Sequence, residues 1–256
     1  MNAAPRADWR LAIHASLPST SDFCRERAAA GEPEGLAVLA LRQTKGRGSR
    51  GRSWSSAPGS LSLSVLLRPV APAGAAGEWA LLAGVAMADG LARFLPDASG
   101  LALKWPNDIL LHGRKLAGIL IDSSAGEGGR LDWLVIGFGA NLAKAPQLLE
   151  RAAAALAEAG RAPPPELAAR SVLDRLDHWR GVRLREGFAA VRAAWLRRSQ
   201  PMGSRLRLRL HEGVADGCFA GLSEEGALLL QTAAGVRAYA TGEVLSGDAE
   251  KSAVIG

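Results

Sequence analysis

The sequence predicts an α+β protein in which a mixed, mainly antiparallel sheet with flanking helices precedes a small all-β unit. Short strand-like segments between residues 101 and 138 are joined by tight turns such as residues 112–114 (HGR), and connections this short join antiparallel neighbours. Apolar residues with helical spacing occur at residues 77–95 and again between residues 146 and 198. Strict alternation begins at residues 205–210 (RLRLRL), which is typical of a small β-barrel.

The first elements form a strand–helix–strand unit. Residues 9–17 (WRLAIHASL) have the composition of a short strand. Ser19 and Thr20 are typical helix caps, and they predict a helix that runs to about Ala30. Residues 36–41 (LAVLAL) then predict a buried strand.

A glycine-rich basic loop and another strand follow. Residues 42–52 (RQTKGRGSRGR) contain five basic residues and three glycines, which predicts a loop. In residues 60–68, leucine and valine alternate with serine, and this predicts a strand with one apolar face and one serine face. Residues 77–95 predict the next helix.

The rest of the chain divides into short strands, three amphipathic helices and a second domain. Strands are predicted at residues 101–105, 108–111, 115–122 and 131–138, and helices at residues 146–159, 166–179 and 183–198. The change of pattern after the last helix places one domain at residues 1–200 and a second at residues 201–256, with the β-strands of the second between residues 203 and 247.

The composition is that of an ordinary globular protein, since 48% of the residues are hydrophobic and 22% are charged. The formal net charge of +6 favours a polyanionic partner. Two distant cysteines and four scattered histidines give neither a disulfide framework nor a metal motif. No run of about 18 apolar residues predicts a membrane span, and no signal-peptide pattern opens the chain, so we expect a cytoplasmic protein.

The basic loop contains the pattern G-x-G-x-x-G at Gly46, Gly48 and Gly51. A dinucleotide-binding fold needs a helix directly after these glycines, and a strand is predicted there instead. The glycines allow close backbone approach, and the lysine and arginines around them favour a bound anion. The alternative for this loop alone is a basic segment that binds RNA non-specifically.

Three further segments place polar side chains at the ends of predicted strands. Lys104–Asp108 (KWPND) sets charged and amide groups around an aromatic–proline corner, and Lys115–Gly118 (KLAG) sets a lysine beside small residues. Val135–Asn141 (VIGFGAN) ends in an asparagine that can hydrogen-bond a base edge. Each segment alone is also typical of a plain turn or of a strand exit.

The order and spacing of these segments are more specific than any one of them. With STS at 19–21, QTKGRGSRGRSW at 43–54, KWPND, KLAG and GFGAN in this order, the chain resembles the biotin protein ligase (biotin–[acetyl-CoA-carboxylase] ligase) family over about residues 10–247. The resemblance implies a class II synthetase-like catalytic domain that binds biotin and ATP, and a C-terminal SH3-like β-barrel. Because the STS motif begins at residue 19, the chain is similar to those members of the family that lack the N-terminal DNA-binding domain.

The resemblance also implies roles for individual residues. Lys115 and Arg47 would be catalytic, and Asp108 is the candidate metal ligand. The implied biotin-binding residues are Ser19, Thr20, Ser21, Gln43, Gly46, Arg47, Gly48, Ser49, Lys115 and Gly118. The implied contacts of ATP and the adenylate are Arg50, Arg52, Trp54, Lys104, Asn107, Lys115, Gly139 and Asn141.

The implied reaction uses biotin, ATP and Mg²⁺ to form biotinyl-5'-AMP, and then transfers biotin to a lysine of a biotin carboxyl carrier protein domain. A carboxylate is already ionised at neutral pH, so the first step needs cations rather than a general base. We expect no specific DNA partner and no membrane partner, and a homodimer is the candidate assembly. The alternatives are a lipoate ligase or octanoyltransferase of the same fold, and the RNA-binding module.

Two positions depart from the common pattern of the family. Ser21 stands where an asparagine is frequent, and Ser49 stands where an arginine is frequent. The second change removes a cation from the loop that closes over the adenylate, so we expect a weaker hold on that intermediate. We also expect residues 42–54 to be mobile without ligand, because their cations repel one another.

Overall fold

The computed structural model describes residues 8–146 and 152–245, and it confirms the α+β class. The main sheet contains seven strands: β1 (Arg10–His14), β2 (Leu36–Ala40), β3 (Leu61–Leu67), β4 (Leu101–Lys104), β5 (Asp108–Leu111), β6 (Arg114–Ala125) and β7 (Leu131–Ala140). Their order across the sheet is β1-β2-β3-β7-β6-β5-β4. Only β1 and β2 run parallel, and the other neighbours are antiparallel, as the short connections predicted.

Helices cover both faces of this sheet: α1 (Thr20–Ala29), α2 (Ala76–Ala92), α3 (Pro165–Glu186) and α4 (Phe188–Leu196). Helix α1 packs on β2 and β3, whereas α2 packs on β6 and against α3 and α4. Alternate residues of β2 enter two separate apolar clusters, so Val38 lies with α1 and Leu39 lies with α2. No helix within the described residues is long and apolar enough to cross a membrane.

The serine face of β3 lies on the α1 side of the sheet. Leu61 and Leu63 enter the large cluster with α2, whereas Leu66 enters the smaller cluster beneath α1. Ser62 and Ser64 share the face of Leu66, and both are buried. Hydroxyl groups therefore line the sheet where α1 begins.

The C-terminal segment forms a second antiparallel sheet. Its strands are β8 (Arg205–Arg209), β9 (Val214–Leu222), β10 (Leu228–Thr232), β11 (Gly235–Tyr239) and β12 (Glu243–Val244), in the order β11-β10-β9-β8-β12. The expected barrel is not closed within the described residues, because β11 and β12 are edge strands with one neighbour each. Leu208, Phe219 and Leu230 join the apolar cluster of α2 instead, so this sheet buries its apolar face against the main domain.

The helix predicted at residues 146–159 is wrong over residues 152–159, and residues 147–151 lie outside the described residues. Ala153 forms a parallel bridge with Lys115, and a short 3-10 turn spans Leu156–Glu158. The backbone N–H of Lys115 donates to the carbonyl oxygen of Ala152 at 3.0 Å. The carbonyl oxygen of Lys115 accepts from the backbone N–H of Ala154 at 2.9 Å. The alanine-rich composition favours a helix, but pairing with β6 overrides that propensity.

The two helices predicted at residues 166–179 and 183–198 are α3 and α4, but the chain bends at a different place. Helix α3 continues through residues 180–182 and ends before Gly187, whose φ of +76° suits a glycine. Trp179 and Val182 are buried on the same helix, and their packing keeps it continuous.

Candidate active site

A cleft lies where the start of α1 meets the serine face of β3 and the ends of β6 and β7. It encloses about 460 Å³ of empty space that is open to solvent, and we call it the first cleft. It is lined by Thr20, Ser21, Gln43, Arg47, Gly48, Ser49, Trp54, Ser62, Leu63, Ser64, Asn107, Lys115, Gly118, Ile119, Leu120, Gly137, Phe138 and Gly139. Segments that are far apart in the sequence, including most of those singled out above, therefore meet in one place.

The start of α1 is fixed by its own cap. Ser19 is the N-cap, and its Oγ accepts a hydrogen bond from the backbone N–H of Asp22 at 3.2 Å. This turn places the buried side chains of Thr20 and Ser21 against β3. Ser19 therefore shapes the first cleft from behind and does not line it.

Four polar side chains form a continuous hydrogen-bonded chain along this wall. Gln43 Oε1 accepts from both the backbone N–H and the hydroxyl of Thr20, at 2.8 and 3.1 Å. Ser64 Oγ lies 2.8 Å from Thr20 Oγ1 and 3.1 Å from Ser21 Oγ. The chain is neutral, which suits an uncharged polar ligand.

The glycine-rich loop forms a short hairpin beside the first cleft. Trp54 donates its backbone N–H to Gly46 at 2.9 Å, and Gly48 donates to Arg52 at 2.7 Å. A Cβ on Gly46 would lie 2.5 Å from the carbonyl oxygen of Trp54, so no side chain fits there. At the tip, Arg50 has a φ of +59°, which a non-glycine residue rarely adopts.

Arg47 is held at the edge of the first cleft by two carboxylates. Its Nη1 donates to Asp22 at 2.8 Å, and its two terminal nitrogens donate to the two oxygens of Asp122 at 3.1 Å each. The hydrogen bonds with Asp122 are the main reason why the pKa of Arg47 is raised above its usual value, and Asp22 adds to the effect. The guanidinium is therefore fixed in position and keeps its charge.

A second cleft lies between the loop tip, the KWPND corner and the C-terminal sheet, and it encloses about 620 Å³ of empty space. It is lined by Ser49, Arg50, Arg52, Lys104, Trp105, Pro106, Asn107, Asp108, Ala240, Thr241, Gly242, Glu243 and Val244. Ser49 and Asn107 line both clefts, so the two are continuous.

Glu243 joins the loop tip to the C-terminal sheet. It is buried, and its carboxylate accepts from Arg50 at 3.1 Å and from Arg52 at 2.9 Å, with Arg209 at 3.9 Å. Burial, with the charges of Arg52 and Arg209, lowers the pKa of Arg50. Arg47, Arg50 and Arg52 are thus paired with carboxylates, which offset the repulsion between the loop cations.

Lys115 stands at the boundary between the two clefts. Its Nζ donates to Asp108 Oδ1 at 2.5 Å and lies 5.8 Å from the centroid of the Trp54 ring. Lys115 lines the first cleft and Asp108 lines the second. A Cβ on Gly118 would lie 3.5 Å from Lys115 Nζ, so Gly118 borders the ammonium group at ordinary contact distance.

The remaining predicted residues take different places. Asn107 lines both clefts and donates its Nδ2 to Ile119 at 2.6 Å. Gly139 lies directly beneath the Trp54 ring, where a Cβ would come within 2.6 Å of the indole. Asn141 is buried, lines neither cleft, and donates to the carbonyl of Ala154 at 3.1 Å. Its amide therefore braces the backbone beside β6.

Several residues of the site were missed from the sequence. Ser62, Ser64 and Gly137 line the first cleft, while Asp122 and Glu243 hold the loop arginines. The serine alternation in residues 60–68 was a signal for the serines. Nothing local marks the two carboxylates, because each meets its arginine only through the fold.

The donor set for a metal is small. No group of three or more His, Cys, Asp or Glu side chains that could hold an ion occurs in the part of the chain that the structure describes. Asp108 uses one carboxylate oxygen for Lys115, so its other oxygen is open to a hard cation. This suits Mg²⁺, which binds through one or two carboxylates together with the phosphates of a substrate.

Comparisons with known proteins agree with this geometry. The Biotin/lipoate A/B protein ligase family matches residues 14–141, and the Biotin protein ligase C terminal domain matches residues 202–247. A biotin–[acetyl-CoA-carboxylase] ligase of Paracoccus denitrificans is 37% identical over 82% of this chain and 90% of its own length. The chain belongs to the biotin protein ligase family.

Other biotin protein ligases extend the match to both domains. The enzyme of Mycobacterium tuberculosis is 34% identical over 93% of this chain and 89% of its own length. The structure of the biotin protein ligase from Aquifex aeolicus in complex with biotin and ATP has a TM-score of 0.77 and 27% identity, and the match covers 92% of this chain and 97% of that one. The likeness therefore includes both the main sheet and the C-terminal sheet.

Proposed function

We propose that this biotin protein ligase binds biotin in the first cleft, activates its carboxylate with ATP, and passes it to a lysine of a carrier domain. The observation that carries this proposal is the position of Lys115 between the uncharged hydroxyl and amide groups of the first cleft and the three cations that border the second. Family membership supports the reaction, and the relatives named above support biotin and ATP as the substrates.

The uncharged wall of the first cleft supports this position for biotin. Ser21 and Gln43 offer uncharged hydrogen-bonding groups to the ligand, and Thr20 and Ser64 link them, which suits a neutral polar head group. The ligand carboxylate would then point towards Lys115 and Gly118. The hairpin from Gly46 to Ser49 covers the ligand and excludes water from the activated carboxylate.

The first step joins two anions. The carboxylate oxygen attacks the α-phosphate of ATP, and pyrophosphate leaves with the electrons of the broken P–O bond. Lys115 donates to the carboxylate and then to the α-phosphate, and Arg47 adds a fixed positive charge at the edge of the same cleft. The negative charge that develops in the transition state is thereby stabilised, and no general base is needed.

The nucleotide phosphates extend into the second cleft. Arg50, Arg52 and Lys104 border that cleft, and cations there lower the energy of the departing pyrophosphate. Trp54 and Gly139 offer an aromatic face and an exposed backbone to the adenine, with Asn141 behind them. Magnesium, when bound with the nucleotide at Asp108, supplies further charge neutralisation.

The second step brings the amine of a carrier lysine to the acyl-adenylate. The amine must lose a proton before it attacks, since a lysine has a reference pKa near 10.4. The carrier domain supplies this lysine, and the acyl group moves from phosphate to nitrogen as AMP leaves.

A cytoplasmic location and a homodimer remain our predictions for the working enzyme, as do a catalytic domain at residues 1–200 and an SH3-like domain at residues 201–256.

The test is to incubate the chain with biotin, Mg·ATP and a biotin carrier domain. Intact-protein and peptide mass spectrometry should show one biotinyl group on one lysine of the carrier. Lipoate or octanoate in place of biotin serves as the matched control, because the Biotin/lipoate A/B protein ligase family also includes lipoate ligases. Transfer of lipoate but not of biotin would contradict the proposal.

A further inference from the structure

The hydroxyl chain in the first cleft has a fixed direction. The backbone N–H of Thr20 can only donate, so the atom of Gln43 that lies 2.8 Å from it is the amide oxygen. That oxygen can only accept, so the Thr20 hydroxyl donates its one proton to it at 3.1 Å. Thr20 Oγ1 can therefore only accept a hydrogen bond from its other neighbour, Ser64 Oγ.

The direction is passed on by Ser64. The 2.8 Å contact between Ser64 Oγ and Thr20 Oγ1 requires the proton of Ser64, because that of Thr20 is already used. Ser64 then has no proton for Ser21, so the 3.1 Å contact between them requires the proton of Ser21. All three hydroxyl protons thus point along the chain towards Gln43.

The two ends of the chain face the ligand with opposite character. Ser21 donates its hydroxyl proton to Ser64, so its oxygen can only accept a hydrogen bond from a ligand in the first cleft. Gln43 has turned its oxygen to Thr20, so its Nε2 offers N–H donors, and no described residue accepts from them. Both residues line the first cleft.

Gly137 keeps the acceptor end open. A Cβ at Gly137 would lie 2.7 Å from Ser21 Oγ, and any side chain there would cover the oxygen. Gly137 also lines the first cleft. The absence of a side chain at this position therefore allows a ligand atom to approach Ser21.

We infer that Ser64 is a specificity-determining positioning residue, because it holds Ser21 as an acceptor and thereby fits the first cleft to a cyclic urea. This inference rests on the proposed function. A urea places N–H donors beside a carbonyl acceptor, which complements an acceptor at Ser21 and a donor at Gln43. The dithiolane ring of lipoate has neither group, so the ordered chain selects against it.

The test compares Ser64→Ala, Ser21→Ala and the double variant in biotin-dependent exchange of pyrophosphate into ATP. Without Ser64 the Ser21 proton is free to turn into the cleft and oppose a ligand N–H. We expect Ser64→Ala to raise the KM for biotin about tenfold, which corresponds to about 1.4 kcal/mol, with kcat and the KM for ATP unchanged. The preference for biotin over lipoate should fall by the same factor.

The double variant separates positioning from general destabilisation. Because Ser64 acts through Ser21, adding Ser64→Ala to Ser21→Ala should change the KM for biotin by less than about twofold. Ser64→Cys keeps a weak donor in a slightly larger side chain, and its KM for biotin should fall between those of Ser64→Ala and the unchanged chain. Ser171→Ala is the matched control, because Ser171 is also a buried serine but lines neither cleft. Its hydroxyl donates to the carbonyl oxygen of Gly90 over a distance of 3.0 Å.

Two outcomes would overturn the inference while the function stands. One is a KM for biotin that Ser64→Ala leaves unchanged, and the other is an effect of Ser64→Ala that is as large in the Ser21→Ala background as alone. If the unaltered chain shows no biotin-dependent exchange, the proposed function fails and the inference falls with it.

Discussion

The two clefts of this enzyme are built from opposite kinds of side chains. The first is lined mainly by hydroxyls, glycines and apolar groups, and its arginine, Arg47, is held by Asp22 and Asp122. The second is bordered by Arg50, Arg52 and Lys104, which face the carboxylates of Asp108 and Glu243. The difference extends to the arginines themselves, since the pKa of Arg47 is raised and that of Arg50 is lowered.

This contrast explains how one site can join two anions. Recognition of the neutral end of the acid needs fixed dipoles, whereas the triphosphate needs a surplus of positive charge. The protein separates the two tasks in space and makes them meet at the ion pair of Lys115 with Asp108. Each prediction below disturbs one side of this division or the boundary between them.

The largest effect is expected at the boundary. Lys115→Ala removes the cation that contacts both reactants, and the loss of one such donor typically costs about 10²- to 10³-fold in rate. Biotin-dependent pyrophosphate exchange should fall by at least this factor, with thermal unfolding showing that the chain is still folded. Lys45→Ala is the matched control, because Lys45 is an exposed lysine of the glycine-rich loop and lines neither cleft. Wild-type exchange in a folded Lys115→Ala variant would remove Lys115 from the mechanism.

The next effect concerns the first cleft alone. In Gly46→Ala the new methyl group would lie 2.5 Å from the carbonyl oxygen of Trp54, and relieving such an overlap costs about 1–3 kcal/mol. The hairpin should move away from the cleft, and the KM for biotin should rise more than tenfold.

Gly77→Ala provides the control, because a Cβ at Gly77 meets nothing within 4 Å. Isothermal titration with biotin measures the change directly. Equal biotin affinity in Gly46→Ala and Gly77→Ala would show that the hairpin does not shape the first cleft.

A smaller effect is expected on the second cleft. Glu243→Gln replaces the buried carboxylate that accepts from Arg50 and Arg52, and hydrogen bonds to charged groups contribute about 1.5–3 kcal/mol each. Hydrogen exchange at residues 49–52 should speed up, while the base of the hairpin at Gly46 and Trp54 stays protected. Glu225→Gln, an exposed change in the turn between β9 and β10, is the control. Unchanged exchange at the tip would mean that the C-terminal sheet does not hold the loop.

The smallest effect concerns Ser49, which like Asn107 borders both clefts. Ser49 accepts a 3.3 Å hydrogen bond from Arg52, and Ser49→Arg would add a cation beside the adenylate. One charge-assisted bond is enough to slow release of biotinyl-adenylate several-fold, since 1.4 kcal/mol is a tenfold change. Stopped-flow measurement of the off-rate compares the two forms. An unchanged off-rate would show that Arg47 and Arg50 already supply the charge that holds the intermediate.

Local patterns were enough to predict most of the fold and much of the site. The STS, GRG, KWPND, KLAG and GFGAN segments each carry their polar groups within a few residues, so the family resemblance that they support implied a common site for Thr20, Gln43 and Lys115, and the three residues line one cleft. The strands from β4 to β7 were predictable because tight turns force antiparallel pairing.

The rest depends on contacts between distant segments. Asp122 meets Arg47 only because β6 lies beside the hairpin, and Glu243 meets Arg50 only when the C-terminal sheet packs on the loop. For the same reason the helix predicted at residues 146–159 failed, since the partner that extends residues 152–154 is the backbone of Lys115. Sequence periodicity contains no information about such partners.

The most direct test of the division between the clefts is a crystal structure of this enzyme with a non-hydrolysable analogue of biotinyl-adenylate. We expect the bicyclic head group in the first cleft, with a urea N–H on Ser21 Oγ and the urea oxygen near Gln43 Nε2. It also predicts the linking phosphate within hydrogen-bonding distance of Lys115 Nζ. A head group bound in the second cleft, or a phosphate held by Arg50 and Arg52 away from Lys115, would contradict it.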